Sequence, residues 1–567
     1  MIFSLFFGTP SCRNEKQLQE ILGRQTSIEL VTRVEAKSVI LFSSLFYGRL
    51  HLFERTICRS FYDAPSSRLQ CDCICSWSVH FLVSRRLNNR SAPFHTREMF
   101  RSLKLAIGKF GSLKPFHIYD RRYFREPFQP LKRCPRWVCV EDAVRIIKSE
   151  ELVFIQGGAA TPLELVRAMT EHGVCSNLRG VRLLHMALEG DAYFANPEFE
   201  KHFRSVNLYI GSNLREAVNE GRADFIPIFN HEIPKLFYER TIIPDVALIH
   251  VSTPDSRGFC SLGTSVDCTR AAICNATFII AQVNEYMPRT FGESVIHSSH
   301  FDYAVKFDCP LPCVSESPLN EIEAEIGKII AQRLVEDGAT LQIGVGNIPD
   351  AVLCSLSNHK DLGIHSEMLS DGMVDLVEKG SITNRRKSRH RGRFVCSLAV
   401  GSKKLYDFMH VNPSIEMLGI SYVNNPRVIS AQTQMTAINP AIEVDLTGQV
   451  CADSLGCKMY CGVGGQLDFG RGASLGHDGR GKSIVALPSV TSRGESRIQP
   501  ILTPGGGVTT TRSHVHYVVT EYGVAQLFGK TLRQRACALI EIAHPDHRDC
   551  LEKAAIERLK SSPTKYL

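Results

Sequence analysis

Apolar and polar positions along the chain form two segments with nearly the same layout. The first, VCVEDAVRIIKSEELVFIQGGAATPLELVRAMTEH, shows helical spacing over Glu141 to Ile147, then a short apolar strand from Leu152 to Ile155 and a glycine turn. A further helix follows, with Thr161 as its cap and Pro162 at its first position. The pattern therefore predicts a helix, a strand, a glycine turn and a second helix, in that order.

The same order of elements recurs in the second half, in EIGKIIAQRLVEDGATLQIGVGNIPDAVLCSLSNH. Here the helix covers Ile326 to Leu334, the strand covers Thr340 to Ile343, and Pro349 stands at the start of the next helix. A unit repeated in this way predicts two open α/β domains of similar architecture. The segment CPLPCVSESP is rich in prolines and small residues, so we place the boundary there, giving domains at 126–318 and 319–567.

Further apolar runs predict buried or half-buried strands. They are ADFIPIF, DVALIHVS, ATFIIAQV, MVDLV, RFVCSLAVG, SIEMLGIS, SIVALP and HYVVTEYG. Because they are rich in β-branched residues and alternate with helical stretches, we expect mostly parallel sheets.

The beginning of the chain lacks sustained periodicity. We interpret residues 1–98 as a non-native or unused extension. From Met99 the sequence is basic and amphipathic, with no acidic residue until Asp120, which is the profile of a mitochondrial presequence over 99–125. This interpretation predicts a mitochondrial matrix protein; the alternative is a disordered basic arm on a cytoplasmic protein.

Composition excludes several classes of protein. With 44% hydrophobic and 22% charged residues, the chain has no run approaching the roughly 18 apolar residues of a transmembrane helix, so we expect no membrane partner. The net charge of +8 is concentrated before residue 135, which does not indicate a nucleic-acid partner. The 20 cysteines show no paired CxxC spacing, so we expect free thiols and no metal site.

The stretch GHDGRGKS, residues 476–483, matches the pattern of a phosphate-binding P-loop. A working P-loop needs a strand before it and a helix after it. Here the preceding FGRGASL suggests a loop, and the following SIVALPSV predicts a strand. We interpret the match as accidental, and GVGNIP lacks the third glycine of a dinucleotide-binding turn.

Several motifs, taken in order, resemble the acetyl-CoA hydrolase/CoA-transferase family, of the 4-hydroxybutyrate and succinyl-CoA:acetate CoA-transferase type. They are GSNLREAVNEGRADFIPIF, NEYMPRTFGES, LQIGVGNIPDAVL, GIHSEMLSDGMVDL, GVGGQLDFGRGA and TTTRSHVHYVVTEYGVAQLFGKTLRQRACALIEIAHPDHR. The resemblance implies two related α/β domains with the active site between them, and a homodimer. It also accounts for the internal repeat.

The resemblance makes Glu367, in GIHSEMLSDG, the nucleophile. A carboxylate attacks the thioester of an acyl-CoA, and the released thiolate then attacks the glutamyl carbonyl, which leaves CoA on the enzyme as a thioester. A second acid takes the CoA by the reverse steps, so the kinetics are ping-pong.

Glycine-dense loops suit the oxyanions of these steps, because backbone N–H groups approach unhindered. The resemblance places one loop at the CoA thioester, with the amide of Val345 as an oxyanion donor, and a second loop, GGxxD, against the same site. These CoA-binding and oxyanion candidates are Gly344, Val345, Gly346, Asn347 and Ile348 in the first loop, and Gly464 and Gly465 in the second. Without the resemblance, a tight βα turn is the favoured interpretation of each loop, and a turn cap is the alternative role for Asp468.

Lys482 is a candidate for binding a phosphate of CoA, with Arg480 as an equal alternative and plain solvation as a third. His365 fits a structural histidine better than a group that tunes the nucleophile. Two features depart from the family pattern, Asn230 and the basic run RKSRHRGR at residues 386–393. We expect that run to be a solvated loop, and neither feature to contact the nucleophile motif or either glycine loop.

The combined interpretation is a CoA-transferase that moves CoA between an acyl-CoA, such as acetyl-CoA, and a carboxylic acid, such as succinate. It needs no bound cofactor, since CoA is a co-substrate. An acetyl-CoA hydrolase using the same glutamate is the alternative, and a non-catalytic acyl-CoA-binding protein is a third. An ATP-dependent ligase would need the nucleotide loop that GHDGRGKS does not provide.

Overall fold

The computed structural model describes residues 126–314 and 318–560. The interpretations of residues 1–98 as an extension and of 99–125 as a presequence lie outside these residues. Within them, no helix is both long and apolar enough to cross a membrane.

The strands are short, as expected for an α/β protein with many loops. In chain order they are β1 (Arg136–Trp137), β2 (Leu152–Ile155), β3 (Val181–His185), β4 (Phe203–Asn207), β5 (Asp224–Phe225), β6 (Val246–Ser252), β7 (Phe259–Ser261), β8 (Phe278–Asn284), β9 (Phe291–Gly292), β10 (Val295–His297), β11 (Tyr303–Lys306), β12 (Thr340–Ile343), β13 (Gly363–Ile364), β14 (Met368–Leu369), β15 (Phe394–Cys396), β16 (Leu398–Ala399), β17 (Ile415–Met417), β18 (Thr436–Pro440), β19 (Glu443–Asp445), β20 (Val450–Cys451), β21 (Ser454–Leu455), β22 (Lys458–Met459), β23 (Lys482–Ala486), β24 (Ile498–Gln499), β25 (Tyr517–Thr520) and β26 (Gly523–Gln526).

The α-helices alternate with these strands. They are α1 (Val140–Val144), α2 (Leu163–Cys175), α3 (Arg215–Asn219), α4 (Ile233–Tyr238), α5 (Thr269–Asn275), α6 (Glu321–Arg333), α7 (Asn347–Ser355), α8 (Asp371–Glu378), α9 (Lys403–Met409), α10 (Ile420–Val423), α11 (Pro426–Ser430), α12 (Gln466–Ser474), α13 (Leu532–Glu541) and α14 (Pro545–Leu559).

Two main sheets organise the protein. The first half forms an eight-stranded parallel sheet in the order β1-β11-β8-β6-β2-β3-β4-β5. The second half forms a six-stranded sheet in the order β13-β12-β18-β23-β25-β26, parallel except for β26. The strands of both sheets are largely buried, as parallel sheets covered by helices require.

The two sheets share a topology around the repeated unit. In the first sheet, β2 lies between β3, the next strand in the chain, and the later strand β6. In the second sheet, β12 lies in the same way between β13 and β18. Both strands have the bounds that the apolar pattern predicts. The prediction of two similar open α/β domains is therefore confirmed.

The change from the first sheet to the second falls between β11 and β12, which brackets the boundary at 318; its exact position stays a prediction. A three-stranded sheet joins the halves, because β9 of the first half pairs with β17 of the second. The largest cluster of buried apolar side chains also draws on both halves, so they form one packed unit.

Three local predictions were wrong. Thr161 does not cap the helix after β2, since α2 begins at Leu163 with Pro162 at its N-cap and has no side-chain cap bond.

The run MVDLV lies in helix α8, where Met373, Val374 and Leu376 face the core, because a run this short does not separate the periods of helix and strand. The stretch FGRGASL lies in helix α12 and not in a loop. Its Gly472 is required by packing, since a Cβ there would lie 2.5 Å from the side chain of Ile429 on α11.

Candidate active site

Glu367 follows the carboxyl end of β13, the edge strand of the second sheet. The backbone of the preceding residue, Ser366, donates to the carbonyl of Val395, and the carbonyl of Glu367 accepts from the amides of Ser397 and Leu398, at 2.9 and 3.0 Å. These bonds tie both sides of Glu367 to the segment around β15 and β16. The backbone position of Glu367 is thus fixed by hydrogen bonds to neighbouring segments of the protein.

The first glycine loop lies beside it. Gly344 to Gly346 follow β12, which pairs in parallel with β13, so both segments emerge at the same edge of the sheet. The Ser366 hydroxyl lies within 3.4 Å of the backbone N and O atoms of Ile343, which joins the two segments directly. Ligands in open α/β sheets bind at this carboxyl edge.

The residues of that loop differ in how accessible they are to a ligand. Val345 is 65% exposed, and Gly346 has a φ of 115°, a conformation that glycine adopts without strain. The side chain of Asn347 bonds to Glu323 on α6, and Ile348 is buried in the core. The Asn347 side chain thus links α7 to α6. Because the Ile348 side chain is buried, only its backbone could contact a ligand.

The carboxylate of Glu367 is held by two asparagines from different halves of the protein. Nδ2 of Asn230, which follows β5, donates to Oε1 at 2.8 Å, and Nδ2 of Asn424, which follows α10, donates to Oε2. Both asparagines are buried. The expectation that Asn230 does not contact the nucleophile was therefore wrong, because the fold brings the ends of β5 and β13 together.

The environment raises the pKa of Glu367 to about 7, from the 4.5 of an ordinary glutamate. Burial is the main cause, since it disfavours the charged form, and the negative charges of Asp468 and Asp267 add to it. The hydrogen bonds from Asn424 and Asn230 act in the opposite direction. A carboxyl group with this pKa is about half ionised at pH 7, and its carboxylate is more basic than that of an ordinary glutamate.

The second glycine loop contacts the carboxylate itself. A Cβ added to Gly465 would overlap Oε2 of Glu367 and lie 2.5 Å from Nδ2 of Asn424. On the same loop, Gly462 and Gly464 lie against Tyr209, which follows β4, with a Cβ at either position falling 2.8 and 3.4 Å from its ring. The structure thus brings Gly464 and Gly465 together with Glu367.

Asp468, at the end of the GGxxD pattern, is buried and paired with the first half of the chain. Its carboxylate accepts from Nδ1 of His231 at 2.7 Å and from the His231 amide at 3.2 Å. Burial raises its pKa, and the hydrogen bond from His231 opposes that rise. Asp468 therefore links helix α12 to the segment that carries Asn230.

Lys482 lies elsewhere. It opens β23, which runs parallel to β12 and β13 through β18, so it stands at the amino edge of the sheet while Glu367 stands at the carboxyl edge. Its ammonium donates to the Leu334 carbonyl at 2.8 Å and pairs with Glu336 at 2.7 Å, and Arg480 pairs with Glu336 too. This placement argues against a phosphate role for Lys482, which stays a prediction.

Two conclusions drawn from motifs are confirmed. The stretch GHDGRGKS enters a strand, β23, instead of a helix, as expected for an accidental P-loop match. His365 is fully buried, with Nε2 at 2.8 Å from the Val423 carbonyl and Nδ1 at 3.2 Å from Gln432, and burial lowers its pKa to about 3. It is a structural histidine.

The basic run at 386–393 lies outside any helix or strand and most of its residues are exposed, as predicted for a solvated loop, but Lys387 is an exception. Lys387 is completely buried, and its ammonium donates to the carbonyls of Ile364 and Arg393 at 2.6 Å each. His390 and Arg393 both bond to Glu416 on β17. The prediction therefore holds for most of the run and is wrong at Lys387, whose bond to Ile364 also contacts the nucleophile motif. A run of basic letters does not show which side chain finds acceptors inside the fold.

Sequence reasoning missed Asn424, Tyr209 and His231. Asn424 stands in YVNNP, beside Asn425, which caps α11 by accepting from the Arg427 amide. Nothing in these letters distinguishes Asn424 from its neighbour. Tyr209 and His231 each follow a strand of the first sheet by a few residues. That position, at the carboxyl end of a parallel strand, is the one available signal.

Among the described residues, no group of three or more histidine, cysteine, aspartate or glutamate side chains is arranged to hold a metal ion. Every cysteine that the structure describes is a free thiol.

Comparison with family models covers both halves. Residues 131–314 match the acetyl-CoA hydrolase/transferase N-terminal domain, and residues 401–555 match the acetyl-CoA hydrolase/transferase C-terminal domain. The two matches together span more than half of the chain; the first covers the first sheet, and the second covers β18, β23, β25 and β26 of the second sheet.

Individual relatives are similar over most of their length. The chain is 52% identical to a succinyl-CoA:acetate/propanoyl-CoA:succinate CoA transferase of Fasciola hepatica, over 78% of this chain and 92% of that protein. It is 48% identical to a 4-hydroxybutyrate coenzyme A transferase of Clostridium kluyveri, over 73% and 96%. The crystal structure of a 4-hydroxybutyrate CoA-transferase from Porphyromonas gingivalis superposes with a TM-score of 0.64 at 40% identity, covering 75% of this chain and 98% of that one.

Proposed function

The chain belongs to the acetyl-CoA hydrolase/transferase family and is an enzyme of the CoA-transferase type, and we propose that Glu367 is its nucleophile. One observation carries the proposal. The Glu367 carboxylate lies between Asn230 and Asn424 at the junction of the two halves, against Gly465, where its pKa is near 7.

The first half-reaction follows from that placement. An oxygen of ionised Glu367 attacks the acyl carbon of the thioester, the C–S bond breaks, and CoA leaves as a thiolate with a mixed anhydride left on the enzyme. The thiolate then attacks the glutamyl carbonyl carbon, the anhydride C–O bond breaks, and the first acid leaves as a carboxylate. CoA is now held as a thioester of Glu367.

The second half-reaction reverses these bonds with another acid. Its carboxylate attacks the glutamyl thioester, the thiolate leaves, and the thiolate then attacks the new acyl carbon to give a new acyl-CoA and free Glu367. No net proton is gained or lost over the cycle. The enzyme therefore needs no resident cofactor in this proposal, with CoA as co-substrate.

The amide donors support the oxyanions of these steps. When the thiolate attacks the glutamyl carbonyl, negative charge develops on an oxygen of Glu367 itself. Nδ2 of Asn230 and Nδ2 of Asn424 already point at those oxygens in the resting site, so they are fixed before charge develops. The exposed amide of Val345, on the neighbouring loop, is the proposed donor to the acyl oxygen.

The proposed substrates are acetyl-CoA or succinyl-CoA as donor and the matching acid as acceptor. The relative from Fasciola hepatica, at 52% identity, supports this choice over longer or cyclic acids. We further propose a mitochondrial matrix location, on the basic, acid-free sequence from Met99 to Ile118. We propose a homodimer only on the resemblance to the family.

The test is intact-protein and peptide mass spectrometry of the full chain mixed with acetyl-CoA alone. CoA bound covalently at Glu367, and discharged by succinate with formation of succinyl-CoA, is the expected result. The Glu367→Gln variant should take up no CoA, while Glu378→Gln, which changes a solvent-facing glutamate of α8, should behave as wild type.

Two other results would replace the proposal. Free CoA that accumulates at a rate succinate does not change would identify an acetyl-CoA hydrolase working through the same glutamate. Unmodified Glu367 with unconsumed acetyl-CoA would leave an acyl-CoA-binding protein.

A further inference from the structure

The strand that leads into the nucleophile is the last strand of its sheet. The N–H groups of Gly363 and His365 bond inward to the carbonyls of Ala339 and Leu341 around β12. The N–H and C=O groups of Ile364, between them, consequently point away from the sheet. A sheet edge leaves such groups without partners unless something covers them.

Two side chains complete this edge where another strand would otherwise pair. Oδ1 of Asn384 accepts from the Ile364 amide at 2.8 Å, and Nζ of Lys387 donates to the Ile364 carbonyl at 2.6 Å. The backbone does the same on either side, since Leu362 bonds to the segment at Ser381 and Ser366 bonds to Val395. The outward N–H groups of Leu362, Ile364 and Ser366, and the C=O groups of Leu362 and Ile364, therefore all have a partner.

Lys387 is built into this position. Its side chain is fully buried, and its second acceptor is the Arg393 carbonyl, at 2.6 Å. Its stem crosses Gly363, where a Cβ would lie 2.5 Å from Cγ of the lysine, so glycine makes room for it. Burial lowers the pKa of Lys387 to about 7, and a neutral amine still has two N–H donors for these two acceptors.

We propose that Lys387, together with Asn384, is a positioning residue for the CoA-transfer reaction: it completes the outer edge of β13 and thereby sets where Glu367 projects between Asn230 and Asn424. The inference rests on the proposed role of Glu367. Ile364 ends β13 and lies three residues before Glu367. A shift of this strand end therefore also moves the carboxylate of Glu367. Misplacement by about 1 Å lowers catalytic rates by roughly 100-fold.

The first test compares Lys387→Met with Lys404→Met. Methionine keeps the length of the stem and removes both donors, whereas Lys404 is an exposed lysine that pairs with Asp375 and Glu378. For Lys387→Met we expect kcat, and the single-turnover rate of thioester formation on Glu367, to fall by about 10- to 100-fold per folded molecule, with KM for acetyl-CoA within about twofold. Lys404→Met should match wild type.

A purely structural role for Lys387 predicts a different outcome. The variant would then lose thermal stability while each folded molecule kept the wild-type kcat. Folded Lys387→Met protein with a kcat within twofold of Lys404→Met would overturn the proposal.

A second pair of variants tests the same edge if Lys387→Met fails to fold. Asn384 has a φ of 57°, which glycine and aspartate both tolerate. Asn384→Gly removes the acceptor for the Ile364 amide, and Asn384→Asp keeps it. We expect the glycine variant to lose kcat and the aspartate variant to retain most of it; equal values for the two would contradict the proposal.

The wild-type control separates this inference from the proposed function. If the wild-type chain forms no thioester with acetyl-CoA, the proposed function fails. In that case the rate at which a carbodiimide labels Glu367 still reports its position: a changed rate in Lys387→Met supports the inference, and an unchanged rate overturns it.

Discussion

Gly465 lies so close to Glu367 that a Cβ on the glycine would overlap Oε2 of the glutamate. The backbone of Gly465 does not itself demand glycine, since its φ of −92° is open to any residue. The glycine is therefore required by its neighbour. Helix α12 begins directly after it, and this helix start meets the carboxylate at contact distance.

A methyl group at this position should disable the enzyme without unfolding it. For Gly465→Ala we expect kcat to fall by roughly 100-fold or more, because either Glu367 or the loop must move from the reactive geometry. Steady-state kinetics and the yield of CoA thioester on Glu367 measure this. Gly479→Ala is the control, since a Cβ there meets nothing within 4 Å and its φ of 68° costs only stability. Equal kcat values in the two variants would show that the contact does not matter.

The acid limb of the pH–rate profile should report Glu367. Since the nucleophile must be ionised and its pKa is about 7, kcat/KM should fall as the pH drops below about 7. Asn424→Ala removes a hydrogen bond that favours the carboxylate, so this limb should move to higher pH, by roughly 0.5 to 1 unit.

Asn425→Ala is the matched control for that shift. Asn425 caps α11 and has no bond to Glu367, so its loss should cost about 1 kcal/mol of stability and leave the acid limb in place. A profile for Asn424→Ala that coincides with wild type would mean that another group sets the acid limb.

Stability should also depend on Glu367, with a defined sign. Its pKa is about 7 in the folded protein and 4.5 in the unfolded chain, so between these values the folded protein holds a proton that the unfolded chain has released. The free energy of unfolding therefore falls as the pH rises through this window, by about 1 to 3 kcal/mol.

Glu367→Gln lacks this titration, which allows the term to be measured. Its stability relative to wild type should be higher at pH 8 than at pH 5 by that amount. Urea unfolding of both proteins at the two pH values checks it, with Glu378→Gln as the control that should show no such difference. A pH-independent difference between Glu367→Gln and wild type would place the pKa of Glu367 near its ordinary value.

Lys482 offers a test between its two interpretations. Because its ammonium is engaged by Glu336 and the Leu334 carbonyl, Lys482→Met should leave KM for acetyl-CoA within about twofold and lower stability by about 0.5 to 1 kcal/mol. If Lys482 binds a CoA phosphate, KM for acetyl-CoA should rise several-fold while KM for a short pantetheine thioester, which lacks those phosphates, stays constant.

The regular parts of the fold follow from local pattern. The bounds of β2 and β12 could be predicted because each is a short apolar run between a turn and a glycine pair, and nothing else in those windows competes. The run MVDLV could not, because five residues carry too little periodicity and helix α8 is selected by packing. Gly472 likewise resembles a loop residue until helix α11 is placed against it.

The sequence by itself determined the repeated α/β unit, the family motifs and the glutamate that they contain, because each of these is written in adjacent residues. Only the tertiary structure decided what surrounds that glutamate. Asn230 and Asn424 lie 137 and 57 residues from Glu367 in the chain, and they reach it because β5, β13 and α10 end at one place. The sequence also hid the burial of Lys387, whose acceptors lie only 23 and 6 residues away, since a lysine inside a basic run is distinguished only by the carbonyls that surround it.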